Sequence, residues 1–199
     1  MEHFFKNLLV LDTGIFYWIN QGQRNPFFDW IMPIITEFDY WRIPLLVLWF
    51  LLFFLGGSKG KTTAVLLVLL VGGTDYLNSF FIKPLFGRIR PCHVLSGIHT
   101  FWPCPRSLSF PSNHVANCFA AAIFLSFSYR RGTPLFLLMA LVVGYSRVYV
   151  GEHYPLDVFG GLLLGGICAL ILIVSWFKIR IWIIEKCSSS DERTKPTGS

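Results

Sequence analysis

Residues 146–157 read SRVYVGEHYPLD and sit between two long apolar runs. The stretch brings an arginine (Arg147), a histidine (His153) and an aspartate (Asp157) to the edge of a membrane helix, where charged groups are costly and usually line a cavity or mark function. Two further clusters repeat the pattern. KPLFGRIRP, residues 83–91, places Lys83 and Arg90 where an earlier apolar run ends, and PSNH, residues 111–114, opens the next run with Ser112, Asn113 and His114.

These residue types point to one kind of chemistry. An ammonium and two planar guanidinium forks, from Lys83, Arg90 and Arg147, form a set that holds a phosphate group and the charge that builds during phosphoryl transfer. PSNH starts a helix, whose free N–H groups and positive dipole end let Ser112 and the backbone at Asn113 receive an anion. Tyr154 and Pro155 place the start of another helix between His153 and Asp157, so the carboxylate can turn back onto the imidazole. An imidazole oriented in that way is the stronger nucleophile, which leaves His114 to act as general acid and then general base. No carboxylate cluster suited to Mg²⁺ adjoins these residues, so the expected chemistry uses neither metal nor cofactor. Each cluster alone has a plain structural reading: a helix-end hydrogen bond, a snorkelling cation or a simple helix start. Alternating membrane crossings put all three on one face, and the plain readings give no reason for that agreement.

The elements that must position these groups follow from the apolar runs. With 54% hydrophobic and 14% charged residues in a chain of 199, residues 1–187 read as one integral membrane domain, and the polar tail, residues 188–199, is expected to be disordered. Four runs (38–57, 62–82, 114–129 and 134–150) are long enough, or nearly so, to cross about 30 Å of hydrocarbon. A fifth, 157–184, exceeds that need and tilts or runs past the interface. Residues 7–19 and 26–38 are apolar but short and carry acidic residues, which fits interfacial amphipathic helices better than full spans. The fold class expected is all-α: a polytopic membrane helix bundle of five to six transmembrane helices with interfacial N-terminal helices. No signal-peptide pattern stands out at the start.

The net charge of +6 reads as a topology signal, and no nucleic-acid partner is expected. In a five-span arrangement nine cations fall on one side and eight on the other, which is nearly a tie. Setting aside Lys83, Arg90 and Arg147 for a ligand leaves nine against five. The KGK and YRRG turns and the tail then face the cytoplasm, and the loop 83–112 faces outward. In that loop Cys92 and Cys104 could close a disulfide or stay free, while Cys118 and Cys168 fall inside spans as small core residues. His93 and His99 lie nearby, but the spacing matches no zinc pattern.

Taken in order, Lys83 with Arg90 and Pro91, then PSNH, then Ser146-Arg147 followed by His153 and Asp157 resemble the three-part signature of the type 2 phosphatidic acid phosphatase (PAP2) superfamily. The likeness runs over residues 75–166. It implies an integral membrane phosphatase that works through a phosphohistidine intermediate. His153 would be the nucleophile, Asp157 its orienting partner, and His114 the group that protonates the leaving group and then activates water. Lys83, Arg90, Ser112, Asn113 and Arg147 would hold the phosphoryl oxygens. The implied partners are the bilayer and a membrane lipid phosphate: undecaprenyl diphosphate, lipid A 1-phosphate, phosphatidylglycerophosphate or phosphatidic acid. The implied location is a bacterial inner membrane, with the site facing the periplasm or outside. A lipid phosphotransferase using the same intermediate and a non-enzymatic protein that binds or transports anionic lipid are the alternatives, and the oligomeric state is not fixed. Two departures stand out. Asn113 replaces the usual family glycine, and the first span is weaker than in members with six helices.

Smaller expectations complete the reading. Asp75, Ser79 and Lys83 share one helix face, with Asp75 a polar partner inside the cavity instead of a catalytic group. Arg88 and Arg106 would meet either a second phosphate or anionic headgroups, and Glu152 has no role in the motif. Gly160, Gly161, Gly165 and Gly166 would allow close helix packing, and Phe101 with Trp102 would form an interfacial anchor or a lid.

Overall fold

A computed structural model describes the backbone of residues 2–193. Its regular structure is helical throughout: α1 (Glu2–Tyr17), α2 (Pro26–Thr36), α3 (Phe38–Leu55), α4 (Gly57–Leu77), α5 (Lys83–Phe86), α6 (Pro91–Val94), α7 (Asn113–Ser128), α8 (Thr133–Tyr149) and α9 (Pro155–Arg193). The five expected spans correspond to α3, α4, α7, α8 and α9. Four segments, 38–55, 57–94, 130–149 and 155–186, are long and apolar enough to cross a membrane. Helix α7 has only 16 residues and falls short of that length, yet it packs against α4, α8 and α9. Helix α3 buries none of its residues and rests on α4, so most of its surface is left for lipid. The polar tail is helical as far as Arg193, and residues 194–199 lie outside the described residues.

The α7–α9 contact fixes the geometry of the site. A Cβ at Gly165 would lie 2.2 Å from the Ala116 carbonyl oxygen, and one at Gly161 would lie 2.8 Å from that of Ser112. Only glycine lets α9 approach α7 this closely, the small-residue packing expected between membrane helices. The same approach lets the Ser112 N–H donate to the Asp157 carbonyl at 3.0 Å, which locks the starts of the two helices together.

Helix α4 does not simply stop. A wider, π-type turn over Asn78–Ile82 links it to α5. Pro84 lacks the N–H that would bond the carbonyl four residues back, and the Asn78 side chain donates to Pro111 O at 3.1 Å, so side-chain contacts replace part of the regular ladder. This turn brings Lys83 into the site. A second π-type turn, Trp18–Gly22, buries Asn20, whose amide donates to the carbonyls of His99 and Tyr149, both at 2.8 Å. The loop between α6 and α7 is thereby tied to the end of α8. A disulfide between Cys92 and Cys104, with Cα atoms 5.8 Å apart, closes this loop.

The N-terminal helices are short, as expected, but their acidic residues turn inward. Asp12 is 2% exposed, and Asp29 accepts from the Tyr149 hydroxyl at 2.7 Å. Phe16, Met32, Tyr149, Val150 and Tyr154 form a core directly beneath the site, joining α1 and α2 to the α8–α9 connection.

Candidate active site

The three sequence clusters meet around a cavity of about 740 Å³, whose wall includes Lys83, Arg90, Asn113, His114, Arg147 and His153. His153 is 1% exposed and sits in the α8–α9 connection. That connection turns sharply at Gly151, where φ is +84° and a Cβ would lie 2.7 Å from the His99 carbonyl oxygen. Arg90 Nη1, which can only donate, lies 3.1 Å from His153 Nε2. Nε2 is therefore the lone-pair nitrogen, and Nδ1 carries the proton toward Asp157 Oδ2 at 3.5 Å and Ser109 Oγ at 3.4 Å. Burial, followed by the positive charges of Arg90, Arg147 and Lys83, holds this imidazole well below the usual histidine range, so it is neutral at pH 7. A neutral imidazole on the cavity wall that keeps its lone pair on Nε2, here accepting from Arg90, has the form required of a nucleophile once Arg90 turns to phosphoryl oxygens.

Asp157 is fully buried and off the cavity wall. It is the third residue of α9 and reaches back to the Tyr154 N–H at 2.8 Å, the reciprocal arm of a capping box. Its carboxylate also accepts from Ser109 Oγ at 2.5 Å and from Arg88 Nη1 at 2.8 Å. Arg88 is off the cavity wall and is engaged by two carboxylates. Its guanidinium bridges Asp157 and Asp12, the latter at 2.5 Å, and covers the Tyr154 ring at 4.0 Å. Asp12 also accepts from the Leu156 N–H at 2.8 Å, a carboxylate placed at the positive end of α9.

Glu152, which the motif leaves without a role, is a second correction. Its Oε2 accepts from Arg90 Nη1 at 2.9 Å and from Arg147 Nη2, and its Oε1 accepts from the Trp102 indole N–H. Glu152 therefore holds both guanidinium forks. Trp102 lies on the cavity wall, anchored to that carboxylate, and Phe101 packs on Tyr149 with ring centroids 6.2 Å apart, so the pair forms part of the site's structure and not a free anchor at the interface. Arg90 is aimed further by Ser107, whose carbonyl and hydroxyl oxygens each accept at 2.8 Å. Arg147 donates to Thr36 Oγ1 at 2.8 Å, while its Nε has no partner among the described residues. Lys83 donates to the Leu108 carbonyl at 2.6 Å, and Arg106 is exposed on the wall.

Two phosphate-binding expectations change in detail. Ser112 is fully buried and absent from the cavity wall; its N–H is engaged by Asp157, and its hydroxyl has no partner among the described residues. Its position serves the α7–α9 junction. Asn113 does line the cavity, but its side chain turns to α4 and its neighbouring turn, donating to Asp75 Oδ1 at 2.8 Å and Ser79 Oγ at 2.7 Å and accepting from Asn78 at 2.7 Å. The first N–H groups of α7 have no intrahelical partner, as at any helix start.

Asp12, Thr36, Ser107, Ser109 and Glu152 were not singled out by sequence. Most are polar residues in short or loop segments that meet their partners from a distance along the chain. The capping position of Asp157 and the three acidic residues in the N-terminal apolar runs, Asp12, Asp29 and Glu37, are the visible signals.

Comparison with known proteins places this geometry. The PAP2 superfamily model matches residues 62–181. The chain is 31% identical over 165 residues to the lipid A 4'-phosphatase of Bacteroides thetaiotaomicron, covering 78% of this chain and 72% of that protein. It is 33% identical over 143 residues to the undecaprenyl-diphosphatase BcrC of Bacillus subtilis, covering 71% and 72%. The crystal structure of Aquifex aeolicus LpxE superposes with a TM-score of 0.69 at 31% identity, covering 82% of this chain and 94% of that one. With its signature residues gathered around one cavity at the end of a membrane helix bundle, the chain belongs to the PAP2 superfamily and is a membrane lipid phosphatase.

Proposed function

We propose that the protein removes phosphate from a membrane lipid through a phosphohistidine formed on His153, without a metal ion. The observation that carries this is the His153 ring: the residue lines the cavity, Nε2 holds the lone pair beside Arg90, and Nδ1 faces Asp157. In the first step Nε2 attacks phosphorus and the bond from phosphorus to the lipid oxygen breaks. As the substrate's negative charge offsets the three cations around it, His114 takes up a proton and gives it to that oxygen. In the second step His114 takes a proton from water, the water oxygen bonds to phosphorus, and the P–N bond breaks to return neutral His153 and inorganic phosphate. Asp157 stabilises the charge on the imidazole ring, as Arg90, Arg147 and Lys83 stabilise that on the phosphoryl oxygens. Three fixed cations supply the electrostatic part that a metal ion plays elsewhere.

Of the candidate lipids, polyprenyl diphosphate and lipid A phosphate are presented on the outer leaflet, which the charge asymmetry of the loops assigns to the site. The location that goes with this reading is a bacterial inner membrane, with the cavity facing the periplasm or outside. The test is phosphate release by purified protein against undecaprenyl diphosphate, lipid A, phosphatidylglycerophosphate and phosphatidic acid, in excess chelator. The expected result is turnover of at least one lipid, abolished in His153→Ala. Turnover that disappears with chelator, or that survives in His153→Ala, would overturn the proposal.

A further inference from the structure

Cations do not line the whole cavity. Beside α7, its wall carries Asp75 and Ser79, and Glu37 stands at the α2–α3 junction. Asp75 Oδ1 is held by two amides, Asn113 Nδ2 at 2.8 Å and Asn117 Nδ2 at 3.1 Å. Oδ2 has no hydrogen-bond partner among the described residues. Asn113 itself is saturated, since Nδ2 also donates to Ser79 and Oδ1 accepts from Asn78. Its amide thus works as a strut that fixes the plane of a partly buried carboxylate and leaves one oxygen open to the cavity.

An ionised carboxylate only accepts hydrogen bonds. Its open oxygen is satisfied by a hydroxyl or amide N–H and repels a phosphate oxygen. Charge points the same way: Glu152 already offsets much of Arg90 and Arg147, and Asp75 and Glu37 add two negative charges to a wall that also carries Lys83 and Arg106. That balance suits one phosphate group and not two neighbouring ones. Resting on the phosphatase reading above, we propose that Asp75 is a specificity-determining residue whose Oδ2 accepts a hydrogen bond from a hydroxyl or amide group next to the scissile phosphate. The favoured substrate class is then a phosphate ester on a hydroxyl- or amide-bearing headgroup, such as a phosphorylated amino sugar or glycerol. A prenyl diphosphate, which carries a second phosphate and no such donor, is disfavoured.

The experiment measures kcat/KM in detergent micelles for lipid A and for undecaprenyl diphosphate with the wild type, Asp75→Asn and Asp75→Ala. The isosteric Asp75→Asn variant keeps the site's shape if the alanine variant fails to fold. The expected result is a fall of about tenfold or more in the ratio of lipid A to prenyl diphosphate turnover, because a lost or mismatched polar contact in a binding site discriminates by at least that much. The lipid A rate falls, and the prenyl diphosphate rate holds or rises as the repelling charge goes. An equal loss on both substrates, the mark of a merely structural or counter-ion role for Asp75, would overturn the inference. So would an unchanged ratio. Failure of the underlying phosphatase reading shows itself separately, as no phosphate release from any lipid by the wild type.

Discussion

Glutamine at position 152 keeps the side chain's shape and removes one negative charge, which isolates what that charge does. In the structure Glu152, Arg90 and Arg147 are 4%, 5% and 4% exposed, so the three form a buried ionic cluster with little water to screen it. One carboxylate oxygen serves both guanidinium groups and the other serves Trp102. Removing one partner of a buried ion pair costs about 3–5 kcal/mol, because the remaining charge is left uncompensated. Glutamine retains an acceptor oxygen, so Glu152→Gln is expected near the lower end, at about 3 kcal/mol of stability. The arginines then face the cavity without their internal anion. Vanadate or inorganic phosphate is expected to raise the melting temperature of the variant more than that of the wild type, since a bound anion replaces the missing carboxylate. Turnover is expected to fall by about tenfold to a hundredfold, as forks that are no longer aimed stabilise the transition state less well. Thermal unfolding in detergent with and without vanadate, beside phosphate release, gives all three quantities. A Glu152→Gln protein that melts and turns over like the wild type, or that vanadate stabilises less, would refute the role of Glu152 as the internal anchor.

Other consequences follow from the same contacts. Arg88→Met leaves Asp12 and Asp157 without their shared cation, at a cost of about 3–5 kcal/mol in thermal unfolding, and lowers kcat while KM changes little; a raised KM at unchanged kcat would place Arg88 on the substrate. His153 stays neutral in the folded state because its pKa is held well below the usual range, whereas in the unfolded chain it binds a proton below about pH 6.5. Its contribution to stability is therefore full above that pH and declines as pH falls through it. The loss of melting temperature on acidification is expected to be smaller in His153→Gln, and an NMR titration of His153 centred near 6.5 would contradict this. The Cys92–Cys104 bond closes a loop with a sequence separation of 12 that carries part of the cavity wall, so the Cys92→Ser/Cys104→Ser variant is expected to lose about 2–3 kcal/mol. Non-reducing peptide mapping is expected to show the two cysteines joined, and free thiols at both positions would remove the prediction's basis.

The parts legible in the sequence were those whose spacing is local. KPLFGRIRP, PSNH and SRVYVGEHYPLD each announce a helix end by proline and cap chemistry, and the alternation of apolar runs puts them on one face whatever the orientation. Lys83, Arg90, Arg147, His114 and His153 all reach the cavity they were expected to share. The partners of those residues were hidden because they come from far along the chain: Asp12 meets Arg88 across 76 positions and Leu156 across 144. The acidic residues in the first forty positions give an expectation of short helices, and α1 and α2 have 16 and 11 residues. What it could not supply is that a carboxylate in an apolar helix can be buried against an arginine from another element. Glu152 illustrates the same limit at short range. Beside His153 in sequence, it has no chemistry of its own until Arg90 arrives from 62 positions away. Ser112 shows the limit from the other side: a hydroxyl at a helix start suggests an anion ligand, and only the structure shows that the close approach of Gly161 buries it in a helix junction.

The most direct test of the account is to trap the intermediate. Wild-type protein is mixed with a lipid substrate labelled in its phosphate, quenched rapidly in alkali, where a phosphorus–nitrogen bond survives, and mapped by mass spectrometry. The account predicts a phosphoryl group on His153 that accumulates when His114 is replaced by alanine in the presence of a good leaving group, and that is absent from His153→Ala. Full turnover with no phosphate on His153 at any quench time, or a phosphoryl group on another residue in both the wild type and His153→Ala, would contradict it.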